Sequence, residues 1–140
     1  MFTLTAREEI EIAVRLVLAA LFGAAVGYER RSSDKPAGLR TLSLVAVGSA
    51  VFTIVSALGF ETADQSRIAA QIVTGVGFLG AGTILRSGTS TSGLTTAATI
   101  WATATIGMAV GSGLYIASIG GTALMLAILY LFAPARNTDD

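Results

Sequence analysis

The chain has 140 residues, 53% of them hydrophobic and 13% charged, with nine basic and nine acidic side chains and neither cysteine nor histidine. A soluble domain carries about 25% charged residues, so this sequence cannot easily cover a water-facing surface, and its neutral balance gives no reason to expect nucleic acid. Disulfides, thiolate and imidazole metal sites, and nucleophile schemes that need a His base are all excluded for this chain.

Residues 1–9 read as an interfacial segment. Thr5 and Glu8 have the spacing of a capping box, so the first helix is expected to begin about one turn outside the membrane. The first apolar run, Ile10 to Tyr28, is broken only by Glu11 and Arg15. Its acidic flank, TAREE, and the lack of a small-residue cleavage site argue against a cleaved signal peptide. Glu11 and Arg15 stand at i, i+4 with the acid first, the favourable order for a helical pair. Near the outer interface they can snorkel, so a structural pair is the primary reading and a pore-lining one the alternative.

Further apolar runs cover 39–60, 68–85, 94–110 and 114–133. Each of the five is near the roughly 17–25 residues that cross a bilayer's apolar core, and the last three contain no charge. A soluble bundle would alternate such runs with charged faces at helical period. The expected fold is therefore all-α: a polytopic membrane protein with five transmembrane helices in residues 10–133 and a short cytoplasmic tail, 134–140.

Positive charge sets the expected orientation. The loop ERRSSDKPAGLR holds Arg30, Arg31, Lys35 and Arg40, and Arg86 and Arg136 fall on the same side, against Arg7 and Arg67 on the other. That bias predicts an outside N-terminus and a cytoplasmic C-terminus. Tyr28, Tyr115 and Tyr130 lie near run ends, as an aromatic belt requires, whereas Trp101 lies mid-run and is expected in the core.

Gly75, Gly77 and Gly80 spell G-x-G-x-x-G, the spacing of a dinucleotide-binding turn. That motif needs a preceding strand and an acid about 20 residues on. Here the glycines lie within an unbroken apolar run, and residues 95–105 hold only hydroxyls and apolar groups. In lipid, small residues instead let helix backbones approach closely. Ala19, Gly23 and Gly27 form such a ladder at spacing four, as do Thr95, Thr99, Thr103, Gly107 and Gly111. Gln71, Gly75, Gly82 and Arg86 are expected to share one face of the third helix. Packing within one subunit is the primary reading of these glycines, and a dimer seam the alternative.

Two charges sit against the helix macrodipole: Glu29 at the end of the first run and Arg40 at the start of the second. Unpaired charge beside hydrocarbon is costly, so Glu29 is expected to pair with Arg40 or another basic residue across the loop. Arg86 leads into SGTSTSG and a fresh helix N-terminus. With Arg30 and Arg40 it could form a cytoplasmic-side site for a phosphate or lipid headgroup, the alternative being a plain connecting loop.

The segments GYERRSSDKPAGLRTLSLVAVGSAVF, GVGFLGAGTILRSG and GLTTAATIWATATIGMAVGSGLY resemble the MgtC/SapB family over about residues 10 to 130. The resemblance implies a multi-pass protein of the bacterial inner membrane, tied to adaptation to low magnesium and in pathogens to survival in macrophages. It implies a regulatory role, including restraint of the F-type ATP synthase, more strongly than magnesium transport. Its motif positions here are Glu29, Arg30, Gly38, Leu39, Arg40, Thr41, Gly80, Gly82, Arg86 and Gly88. Some members carry a C-terminal domain resembling ACT modules, where only PARNTDD follows here, and virulence-linked members have a membrane cysteine that is absent.

Three functions compete. A regulatory protein acting through helix faces fits five charge-poor helices with small-residue seams. A transporter or channel component, for Mg²⁺, another ion or an anionic lipid, is the runner-up; a Mg²⁺ site needs oxygen ligands, usually carboxylates, yet the spans and their borders offer only Glu11 and Glu29, at opposite ends. Symmetric copies could gather them. An enzyme has least support, since no nucleophile–base set exists. The chain is expected to form a homodimer or larger assembly in the bilayer, with no cofactor and no metal site.

Overall fold

The computed structural model describes residues 4–59, 64 and 66–133. Five helices, α1 (Ala6–Ser32), α2 (Leu39–Leu58), α3 (Ser66–Ala81), α4 (Leu94–Gly111) and α5 (Tyr115–Leu131), account for most of them. Between α3 and α4 lies an antiparallel hairpin of β1 (Leu85–Ser87) and β2 (Ser90–Ser92). Helices α1, α2 and α4 are long and apolar enough to cross a membrane, while α3 and α5 supply shorter apolar helices. The expected tail, 134–140, lies outside the described residues.

Two expectations need correction. The third run does not stay helical to Leu85: α3 stops at Ala81, and the fold is not purely helical because the hairpin follows. The cause is local chemistry. After Gly80, Ala81 and Gly82 come the β-branched Thr83 and Ile84, which crowd a helix. Thr83 closes the end by donating both its backbone N–H (3.0 Å) and its hydroxyl (2.8 Å) to the Gly80 carbonyl. Alternating Ser and Thr then pair across the turn, Arg86 opposite Thr91 and Ser87 opposite Ser90, with Gly88 at φ 60. Gly93 has φ 87, and a side chain there would run into the Thr83 carbonyl, so only glycine joins hairpin to α4. Arg86 therefore belongs to β1 and shares no helix face with Gln71 and Gly75.

At the other boundary, α1 is longer than the first apolar run. It starts at a reciprocal capping box between Thr5 and Glu8 and continues through Glu29, Arg30 and Arg31. These charges are in the last turns of a helix, not in a loop.

The packing centres on α2. A side chain on Gly23 would meet the Leu42 carbonyl at 2.5 Å, and one on Gly27 would meet Leu39 Cα at 2.5 Å, so α1 runs antiparallel along α2. On the other side Gly107 abuts the Ala46 backbone and Gly111 the Ala50 backbone, which makes α4 parallel to α2. Ala19, Ala46 and Ala50 are wholly buried between these helices with Ile106 and Val110. A second cluster, including Val26, Leu42, Ile72, Val76, Ile100 and Ala104, ties α3 to the same frame. Thr99 and Thr103 bury their hydroxyls by donating one turn back, to the carbonyls of Thr95 and Thr99, which removes the cost of an unpaired polar group.

Trp101 does not enter this core. It is 48% exposed on α4, because the backbone-close contacts of Gly107 and Gly111 turn the face with small residues inward and leave the bulky one outside. Tyr28 and Tyr130 are exposed near helix ends, whereas Tyr115 is engaged elsewhere, as follows.

Candidate functional site

The bundle has a polar knot at each end. At the first, the Arg15 guanidinium pairs with Glu11, donates to the Gly111 carbonyl at 2.8 Å and to the Tyr115 hydroxyl at 3.3 Å. One side chain of α1 thus closes the C-terminal end of α4, where carbonyls lack helical partners and a cation is favoured, and also holds the start of α5. Its hydrogen bonds make it a structural clasp.

The second knot is less complete. Glu29 and Arg30 are 8% and 4% exposed at the end of α1. Arg30 donates to the Thr96 hydroxyl at 3.0 Å, in the first turn of α4. Glu29 accepts from the Ser33 hydroxyl at 2.9 Å through one oxygen. The chain then wraps back over them, with Lys35 N–H on the Arg30 carbonyl at 3.0 Å, Asp34 at φ 52, and Ala37 in the core. Yet Glu29 Oε2 and Arg30 Nε are buried with no hydrogen-bond partner among the described residues. A buried acceptor and donor left open cost about 1–3 kcal/mol each, more when charged. This leaves one open acceptor and one open donor on adjacent residues.

Of the predicted site, Glu29 and Arg30 are both buried, Arg30 on Thr96 and Glu29 on Ser33, while Arg40, Thr41 and Arg86 stay exposed at the surface. No ion pair joins Glu29 to Arg40; the one ion pair found among the described residues is Arg15 with Glu11. Burial separates them: Glu29 turns under the loop, and Arg40 faces outward from the first turn of α2. Sequence reasoning missed Thr96, although a buried Arg needs an acceptor and the TT pair opening α4 offered one. Among the described residues no three His, Cys, Asp or Glu side chains gather as a metal-ligand cluster.

The glycines divide into two sets. Gly23, Gly27, Gly107 and Gly111 lie on α2 backbone, and a side chain on Gly80 would meet Ala97 at ordinary van der Waals distance. Gly82 meets only its own turn, and a side chain on Gly75 or Gly77 would meet nothing within 4 Å.

The profile of the MgtC family matches residues 16–138. The chain belongs to the MgtC family. Among its relatives, a protein of Escherichia coli K12 named "Putative magnesium transporter YhiD" is 51% identical over 130 residues, covering 87% of this chain and 60% of the relative. "Protein MgtC" of Salmonella typhimurium is 45% identical over 124 residues, covering 89% and 53%. "Protein MgtC" of Brucella abortus is 44% identical over 116 residues, covering 83% and 49%. The chain thus spans about half to three-fifths of the length of these relatives. No solved structure matches it.

Proposed function

We propose that this chain is a multi-pass protein of the bacterial inner membrane, N-terminus outside and C-terminus cytoplasmic, that serves magnesium-linked adaptation by binding a partner through its helix faces. The magnesium link rests on family membership and on the transporter name carried by the YhiD relative. The observation that carries the regulatory reading is the filled axis of the bundle. Where α1, α2 and α4 meet, glycines bring backbones into contact and leave no room for a hydrated ion. Mg²⁺ sheds its water reluctantly and wants oxygen ligands in near-octahedral order, and the carboxylates of Glu11 and Glu29 stand at opposite ends of α1. The membrane sector of the F-type ATP synthase is the partner class that the family resemblance suggests.

A second reading, ion transport, is favoured by one observation, the unpartnered Glu29 Oε2 and Arg30 Nε. Proteoliposomes loaded with a magnesium-sensitive dye separate the two. The regulatory reading expects no Mg²⁺ flux above empty vesicles. Flux that disappears in Glu29→Gln would overturn it in favour of transport.

A further inference from the structure

The flank of α3 has a chemistry that lipid does not satisfy. Gln71, Gly75 and Phe78 stand at i, i+4 and i+7, one stripe of the helix. Gln71 is exposed and makes no hydrogen bond to any described residue, although it lies five residues into an apolar helix. An amide facing hydrocarbon is unfavourable, and interhelical hydrogen bonds are the usual remedy. Beside it, a cleft of about 380 Å³ opens between α2 and α3, lined by Gly48, Phe52, Gln71, Gly75 and Leu79 among others. Gly48 and Gly75 both face open space, so it is their missing side chains that hollow the cleft. Phe78, on the same stripe, projects outward with 83% of its surface exposed.

Glycine inside a helix is about 1 kcal/mol less favourable than alanine. Gly75 has no positive φ and no internal neighbour to excuse it. A close approach from outside the chain does. In addition, α3 has 16 residues, about 24 Å at 1.5 Å per residue. That falls short of the roughly 30 Å hydrocarbon core, and oligomerisation is one way a short helix relieves such a mismatch.

We infer that α3 is the seam of a two-fold homodimer: the two Gln71 amides meet each other, Gly75 lets the α3 backbones approach, and Phe78 of each copy fills the α2–α3 cleft of the other. A second copy is the occupant because knob, hole and amide all lie on one element. An amide carries both donor and acceptor and so complements itself, and a two-fold axis lets each copy give and receive the same contact. A lipid tail would fill the cleft but leave Gln71 without a partner. The inference goes beyond the regulatory reading and does not depend on it; flux measurements decide that reading and the experiment below decides this one.

The chain contains no cysteine, so a single introduced Cys reports symmetric contact directly. In membranes oxidised with copper phenanthroline, Gln71→Cys, Gly75→Cys and Phe78→Cys should each give a band of twice the chain mass. Val73→Cys, on another face of α3, and Ile116→Cys, exposed on α5, should not. Gly75→Leu is the second arm. In the folded single chain a Cβ at Gly75 meets nothing within 4 Å and the cleft beside it is open, so the variant should keep the wild-type protease resistance. Its dimer dissociation constant in nanodiscs, measured by single-molecule photobleaching, should rise about tenfold, the equivalent of one lost interhelical contact. Equal cross-linking at Val73 and Ile116, a chain that stays monomeric with lipid in the cleft, or an undiminished dimer in folded Gly75→Leu would each overturn the seam.

Discussion

Two helix flanks in this molecule use the same residue for different ends. Along α2, glycines of α1 and α4 are pressed onto backbone, so that Gly23, Gly27, Gly107 and Gly111 have no room for even a methyl group. Along α3, Gly75 and Gly77 face open space. The contrast shows that glycine spacing in an apolar helix announces a close approach without saying whether the visitor is the chain's own backbone. Only the covered set is part of what holds this bundle together.

The largest effect should come from attacking the covered set. Gly107→Val drives a side chain into the Ala46 backbone and is expected to destabilise the bundle by about 3 kcal/mol or more, since backbone cannot move aside as a side chain can. Loss of protease-resistant protein in mild detergent would register it, and a variant as resistant as wild type would erase the contrast. Next in size is Thr96→Val, which keeps the shape but removes the acceptor of Arg30. A cost of about 1–3 kcal/mol is expected in reversible unfolding; no change would mean that Arg30 finds another acceptor. On the open set, Gly77→Ala should be neutral or stabilising by up to about 1 kcal/mol, from helix propensity alone. A clear loss of stability there would show that Gly77 is covered in the assembled protein.

The smallest effect concerns pH at the start of α3. Asp64 accepts from the Ser66 hydroxyl at 2.7 Å and the Ser66 backbone N–H at 2.9 Å, and these bonds hold its carboxyl below the usual carboxylate value. Its contribution is therefore fully present above the ordinary carboxylate pKa of about 3.9 and is lost as pH falls through the lowered folded value. Protection against hydrogen exchange in the first turn of α3, taken relative to the intrinsic rate at each pH, should fall on acidification in that window, and Asp64→Ala should flatten the response. An identical pH profile in the variant would assign the effect to another group.

The ladders on α1 and, from Thr99 to Gly111, on α4 were legible from spacing, because a repeat of four on an apolar helix carries its own geometry; Thr95, expected to begin the second, stays exposed. The capping box at Thr5 and Glu8 was legible for the same reason. The end of α3 was not, since Thr83, Ile84 and Leu85 continue the apolar run in composition while their β-branching and the flanking glycines break it in conformation. Charge at the end of α1 misled in the opposite way. Glu29 and Arg30 resemble the start of a loop by hydropathy, yet the helix carries them inward and the loop folds over them. The partner of Arg30, Thr96, lies 66 positions beyond it, a distance that no local pattern spans. Trp101 was misplaced because its place mid-run suggested the interior, where the small residues of α4 had already claimed it.

The pairing of Arg15 with Glu11 and the adjacency of Arg30 to Glu29 have an electrical consequence. A lone charge displaced across the membrane field gains or loses about 2.3 kcal/mol per 100 mV. Across α1 as a whole the four cations Arg7, Arg15, Arg30 and Arg31 balance the four anions Glu8, Glu9, Glu11 and Glu29, so the helix moved as one body carries no net charge for the field to pull on. A change in membrane potential would exert almost no net force on this helix as a whole, and any response of α1 to membrane energisation must enter through what it touches.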